Sequence, residues 1–129
     1  MAIPKLIPIA HEPDYRTELI GNCDTGPYLG FEMHIGRPVA VLHIFDCEGQ
    51  YIRSDSWDAN TGVENPRAEL LAAIDALPNA TPGDVKVATF SDTIFDLEFG
   101  LIPNDEGDNV EYVPYMLGFN PPWNGLYDT

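Results

Sequence analysis

The sequence predicts an α+β protein: an antiparallel sheet of about six or seven strands with one helix on a face of the sheet. Residues 29–35 and 94–102 alternate apolar and polar side chains, which is the period of a half-buried strand. Residues 66–77 instead repeat apolar side chains at helical spacing. Glycine and proline, 11 and 12 in number, punctuate the chain between these segments. The predicted order is a meander, the helix and a second meander, in a single domain over residues 1–129.

The first meander begins after an arm, residues 1–15, whose three prolines favour an extended, irregular backbone. Residues 39–45 are almost continuously apolar and rich in β-branched side chains, as is typical of a central strand. Gly49 can take a positive φ angle, so residues 46–49 are expected to form a hairpin turn. The strands predicted in this half are residues 16–20, 29–35, 39–45 and 50–54.

The helix follows a polar stretch over residues 55–65. Asn65 is a good N-cap, and Pro66 suits the first helical position, where its missing N–H is harmless. Apolar residues continue at helical spacing to Leu77, and Pro78 ends the helix. The second meander is predicted as strands over residues 84–90, 94–102 and 110–116, followed by an aromatic tail rich in proline and glycine.

Charge is the strongest functional signal in the chain. Lys and Arg total 6 and Asp and Glu total 21, for a formal net charge of −15. Such a surface repels nucleic acids and anionic membranes and attracts basic proteins. The sequence also lacks a glycine-rich phosphate loop and a basic cluster, so we expect no nucleotide and no other cofactor.

The N-terminal segment and the two cysteines predict a compartment. Residues 1–8 carry one lysine and two prolines and lack the continuous apolar run of a signal peptide. No stretch approaches the roughly 20 apolar residues that span a bilayer. We therefore expect a cytoplasmic protein, in which Cys23 and Cys47 are free, buried thiols; a single bridge between them is the alternative.

The acidic C-terminal third and its aromatic residues predict a docking surface. Every lysine and arginine lies at or before Lys86. Tryptophan and tyrosine dominate interface energetics, and carboxylates around them would attract a basic partner. The predicted contact residues are Asp105, Glu106, Asp108, Glu111, Trp123 and Tyr127. The alternative for the aromatic residues is a tail that folds back to seal the core. The alternatives for the acidic residues are a solvated hairpin loop and a calcium site, although their spacing does not match an EF-hand.

Two catalytic or metal-binding arrangements are also open. Asp24-Thr25-Gly26 is the tripeptide that carries the aspartate of aspartic proteases, which need two such aspartates sharing a proton. His34 and His43 could face each other across a hairpin and bind a transition metal, with Glu32 nearby. The alternatives are an ordinary turn at Asp24 and histidines that make ordinary hydrogen bonds.

Three segments resemble one family of small acidic bacterial proteins, some of which are labelled "formate hydrogenlyase regulatory protein". The segments are residues 2–18, with Glu-Pro-Asp-Tyr-Arg-Thr-Glu at 12–18; residues 40–49, with Ala-Val-Leu-His-Ile-Phe-Asp at 40–46; and residues 122–129, Pro-Trp-Asn-Gly-Leu-Tyr-Asp-Thr. The resemblance touches both termini and the middle of the chain. It implies a regulatory, non-enzymatic role and supplies no catalytic residues.

Three functional hypotheses follow. The first is a non-enzymatic, acidic protein that docks a basic partner, as an immunity-type inhibitor docks a nuclease toxin. The second is a small hydrolase or metal-dependent enzyme that uses Asp24 or the His34 and His43 pair. The third is a structural protein without a dedicated site.

Overall fold

The computed structural model describes residues 3–128, so Met1, Ala2 and Thr129 of the resemblance segments and of the arm lie outside the described residues. The α+β class, the antiparallel pairing and the helix are confirmed, but the single sheet of six or seven strands is wrong. Residues 3–128 form eleven strands in three sheets. No helix within this part of the chain has the length and apolarity needed to cross a bilayer.

The largest sheet has five strands, in the spatial order β5-β4-β3-β2-β6. In chain order its strands are β2 (Leu19–Cys23), β3 (Gly26–His34), β4 (Pro38–Phe45), β5 (Tyr51–Asp58) and β6 (Thr81–Pro82). A four-stranded sheet runs β11-β10-β9-β8 and a two-stranded ribbon pairs β1 with β7. Their strands are β1 (Ile7–Ile9), β7 (Val85–Val87), β8 (Phe90–Ile94), β9 (Leu97–Pro103), β10 (Val110–Val113) and β11 (Leu117–Phe119).

The five-stranded sheet is the middle of three layers. Its strand β4 lies between β3 and β5, as the apolar run predicted, and alternate side chains point to opposite faces. Leu42 and Ile44 belong to the cluster that includes Leu70 of the helix α1 (Pro66–Asp75). Val41 and Phe45 instead belong to the larger cluster, which buries the inner face of the four-stranded sheet.

The helix begins where the sequence predicted and ends two residues earlier. The Asn65 side chain accepts a hydrogen bond from the Ala68 amide at 3.1 Å, and Pro66 is the first helical residue. Helical structure ends at Asp75 rather than at Leu77. Leu77 is nevertheless bonded to the last turn through its amide and the Ile74 carbonyl, and it packs with the helical cluster.

The predicted strand over residues 94–102 is wrong because it contains a turn. Phe95 and Asp96 have φ angles of 55° and 62°, which makes them the centre of a tight hairpin between β8 and β9. Such turns usually carry asparagine or glycine. Phe95 gave no such signal, because its ring packs against the core and extends the apolar alternation through the turn.

Other boundaries differ for similar local reasons. In the arm, residues 7–9 form an edge strand that tolerates Pro8. The first predicted strand, residues 16–20, lies at Leu19–Cys23, and the predicted turn of 21–27 shrinks accordingly. Strand β5 continues through Trp57 into the predicted polar stretch. The predicted strands over 84–90 and 110–116 are each interrupted, the second after Val113.

We expect Leu70→Ala to lower the free energy of unfolding by about 2–5 kcal/mol, because it leaves a cavity between α1 and β4. Leu70 is fully buried, whereas its neighbour Leu71 is 40% exposed. The matched variant Leu71→Ala should therefore change the free energy by about 0.5 kcal/mol or less. Chemical denaturation of both variants measures the difference, and equal losses would contradict the placement of α1.

Candidate functional site

The acidic residues predicted to contact a partner lie on the β9–β10 hairpin. Asp105, Glu106 and Asp108 are exposed in its turn, and Glu111 is half-buried on β10. Asn104 orders the turn: its side-chain oxygen accepts from the amides of residues 108 and 109 at 3.1 and 3.2 Å. We call Asp105, Glu106, Asp108 and Glu111 the acidic hairpin.

The acidic hairpin borders the outer face of the four-stranded sheet. Glu111 lies opposite Ile102 and Gly118, and Glu98 lies opposite Thr93. The next residue along each strand, Tyr112 after Glu111 and Phe99 after Glu98, points to the opposite face and lies in the core. Residues 87–128, which include this sheet, hold eight acidic residues and no lysine or arginine. This part of the protein is therefore uniformly negative.

Trp123 and Tyr127 do not form an exposed aromatic surface next to the acidic hairpin. Both pack against the larger core cluster, and the Trp123 indole nitrogen is buried without a hydrogen-bond partner among residues 3–128. The Tyr127 ring lies 6.3 Å from that of Phe119 and 6.5 Å from that of Tyr15. The tail thus folds back onto the body, which was the alternative interpretation of its aromatic residues.

Tyr127 instead belongs to a second surface, which the sequence analysis did not predict. The Arg16 guanidinium lies over two rings, 5.9 Å from the Tyr15 centroid and 5.2 Å from the Tyr115 centroid. Together with the contact between Tyr15 and Tyr127, these distances join four side chains into one group. We call Tyr15, Arg16, Tyr115 and Tyr127 the tyrosine patch. No periodic pattern signals it, because Tyr15 and Arg16 lie in irregular chain.

Trp123 lines a cleft of about 790 Å³ that also contains both cysteines. The cleft lies where the β1–β7 ribbon, the β2–β3 turn and the tail meet. Both thiols are free; Cys23 is half-buried and Cys47 is exposed, so the prediction that both are buried is wrong. The Cys47 sulfur lies 3.8 Å from the Asp24 carbonyl oxygen.

The structure does not form the catalytic site predicted at Asp24 or the metal site predicted at His34 and His43. Asp24 is exposed in the β2–β3 turn, where its carboxylate accepts a hydrogen bond from Asn79 at 2.7 Å. The register of β3 and β4 places His34 opposite Pro38 and His43 opposite Leu29, so the two histidines do not face each other. Among residues 3–128, no three His, Cys, Asp or Glu side chains converge as metal ligands.

His43 lies in the interior and joins the two large sheets. Its Nδ1 is 2.6 Å from the Ser54 hydroxyl on β5, and its Nε2 is 2.7 Å from the Tyr112 hydroxyl on β10. Ser54 is in turn 2.6 Å from the Tyr51 hydroxyl, which donates to Asp92 on β8 at 2.6 Å. Five side chains from four strands therefore form one hydrogen-bonded chain.

The direction of this chain follows from the number of protons on each group. Asp92 only accepts, so the single proton of Tyr51 is used there and the Tyr51 oxygen must accept from Ser54. Ser54 then accepts from Nδ1–H of His43, and the Tyr112 hydroxyl donates to Nε2. Every hydroxyl and ring nitrogen in the chain has a partner.

Burial sets the charge states in this chain. Loss of hydration lowers the pKa of His43 from 6.5 to about 3, so the ring is neutral near pH 7. Burial also raises the pKa of Tyr112, and burial with the hydrogen bond to Asp92 raises the pKa of Tyr51 to about 12. Because the His43 side chain has no exposed surface, its ring is not accessible to a substrate and joins the sheets instead.

Comparison with known proteins adds no assignment: no family model, no curated protein and no solved structure matches this chain. The resemblance to the family of small acidic bacterial proteins therefore stays a prediction.

We expect stability to fall as pH is lowered from 6.5 to 3, because the unfolded chain protonates His43 and the folded chain does not. The neutral variant His43→Gln removes this contribution. Between pH 6.5 and 4.5 the wild type should lose about 2 kcal/mol more than the variant, since each pH unit is worth up to about 1.4 kcal/mol.

Urea denaturation across this pH range measures that difference. The matched variant His34→Gln changes an exposed ring and should follow the wild type. If His43→Gln and the wild type lose stability in parallel, His43 is not held neutral in the fold.

Proposed function

We propose that this is a non-enzymatic, cytoplasmic protein that docks a basic protein partner in the manner of an inhibitor or regulator. The observation that carries the proposal is the exposed acidic hairpin, within a segment that holds eight acidic residues and no lysine or arginine. The family resemblance, with its implied regulatory role, points in the same direction.

The negative charge is left unbalanced within the fold. Three arginines form ion pairs: Arg37 with Asp58, Arg53 with Asp55, and Arg67 with both Glu18 and Glu32. These pairs use four of the 21 acidic residues, which leaves 17 without an ion pair among residues 3–128. The excess is therefore available to attract cations on another molecule.

The distribution of charge favours a different protein over a second copy. Two chains that each carry a charge of −15 repel each other before contact. A basic protein is attracted instead, and attraction of this kind accelerates encounter and weakens as salt is added. The acidic hairpin is the predicted point of first approach, because Asp105 and Glu106 extend into solvent without a side-chain hydrogen bond within the described chain.

The test is a double charge reversal, Asp105→Lys with Glu106→Lys. Protein captured from lysate of the producing organism at low salt, and released at high salt, supplies the partner, which is then purified. We expect the reversal to slow association with this partner about tenfold at low salt, as local electrostatic steering requires. Stopped-flow association at several salt concentrations measures the effect.

The matched control is Glu64→Lys with Asp75→Lys, which makes the same change in net charge at exposed positions next to and on α1. This control should slow association by about twofold or less, because α1 lies across the five-stranded sheet from the hairpin. Equal slowing by both variants would exclude the hairpin as the contact. Failure to capture any basic protein at low salt would overturn the proposed function.

A further inference from the structure

The tyrosine patch is open to solvent mainly at Tyr15. That side chain is 57% exposed, and the other three members are half-buried. Tyrosine and arginine are enriched in the cores of protein interfaces. The four members of the patch, three tyrosines and one arginine, thus have the composition of an interface core.

Arg16 has no ion pair within the described chain, although carboxylates surround it. Its guanidinium lies over the Tyr15 and Tyr115 rings, which leaves its N–H groups to donate to a partner's carbonyl or hydroxyl oxygens. Arginine and tyrosine are also the side chains whose removal most often costs binding energy at interfaces.

The loop that presents Tyr15 and Arg16 is fixed in place by the next residue. Thr17 is fully buried; its hydroxyl donates to the Ala10 carbonyl at 2.8 Å and accepts from the Glu12 amide at 3.0 Å. Backbone bonds from Tyr15 to Glu12 and from Glu18 to Tyr15 complete the loop. A surface ordered before binding loses less conformational entropy on association.

The charges around the patch specify its partner. Asp14, Glu18 and Glu32 line the pocket between Tyr15 and Tyr115. Burial raises the pKa of the Tyr127 hydroxyl, and the charge of Glu12 nearby raises it further. Against these four carboxylates stand Arg16 and Arg67. The pocket between the rings and its surroundings are therefore net negative, which fits a partner whose interface is basic.

We propose that the tyrosine patch is the contact core for the basic protein partner, while the acidic hairpin steers its approach; this inference rests on the proposed function. The turn of the acidic hairpin, residues 105–108, precedes Val110, and Tyr115 follows Val113, so β10, about 13 Å long, lies between this turn and the patch. An interface of standard size covers about 800 Å² per partner and is about 28 Å across, enough to reach both.

The test separates the two surfaces by kinetics. Buried contacts at an interface core act mainly on dissociation, whereas charges at its edge act on association. Tyr15→Ser and Arg16→Gln should each accelerate dissociation of the purified partner at least tenfold and leave association within about twofold. The control Ile52→Ser removes an apolar side chain of similar exposure, 52%, on β5 and should change neither rate.

A photo-crosslinker placed in the patch captures whichever molecule occupies it. With p-benzoylphenylalanine in place of Tyr15, irradiated cells of the producing organism should give one adduct, with the same basic protein that low salt captures. The same group in place of Ile52 should give none. An adduct with a second copy of this chain, or no adduct while the partner remains bound, would overturn the proposal that the tyrosine patch is the contact core.

The outcomes distinguish the two proposals. If the patch variants leave dissociation unchanged while the hairpin reversal slows association, the tyrosine patch is not the contact core and the proposed function stands. If no basic partner is captured and no adduct forms, both are overturned. Circular dichroism of Tyr15→Ser and Arg16→Gln, compared with the wild type, establishes that altered rates do not reflect unfolding.

Discussion

The fold depends on one hydrogen-bonded chain, which runs from Tyr112 through His43, Ser54 and Tyr51 to Asp92 and is buried at its Tyr112–His43 end. Hydrogen bonds are directional, so a fully satisfied buried network specifies one arrangement of the two large sheets more sharply than apolar contacts do. A buried hydroxyl or ring nitrogen loses about 1–3 kcal/mol when its partner moves away. The chain thus fixes the relative position of the sheets.

Charged and neutral polar groups are divided between the surface and the interior of this acidic chain. Among the described residues Asp58 is the buried carboxylate, and Arg37 pairs with it, whereas the fully buried His43 ring is kept neutral by loss of hydration. The cost of the charge is mutual repulsion at the surface, which a basic partner would relieve. Binding and stability are then linked, because a partner that neutralises the surface also stabilises the folded state.

The sequence predicted what is local and missed what depends on distant contacts. The start of α1 at Asn65 and the central strand β4 followed from capping chemistry and from a continuous apolar run. The hairpin turn at Phe95 was hidden because a core aromatic occupies a position usually taken by asparagine or glycine. For His43 the sequence left open a metal pair with His34 or ordinary hydrogen bonds. The structure shows hydrogen bonds, and one of the partners, Tyr112, is 69 residues away, so no local pattern identifies it. The acidic hairpin could be predicted from local composition. The tyrosine patch could not, because it joins rings that lie near opposite ends of the sequence.

The one-way order of donors also constrains how this protein can change in evolution. Tyr112 donates first, Asp92 only accepts, and the three members between them each accept from one neighbour and donate to the next. A substitution such as Tyr51 by Phe therefore leaves both Ser54 and Asp92 without their former partner. A single replacement is therefore costly, whereas coordinated replacement of several members by apolar side chains of similar volume is tolerable. The five positions are therefore physically coupled, and a change at one of them favours compensating changes at the others.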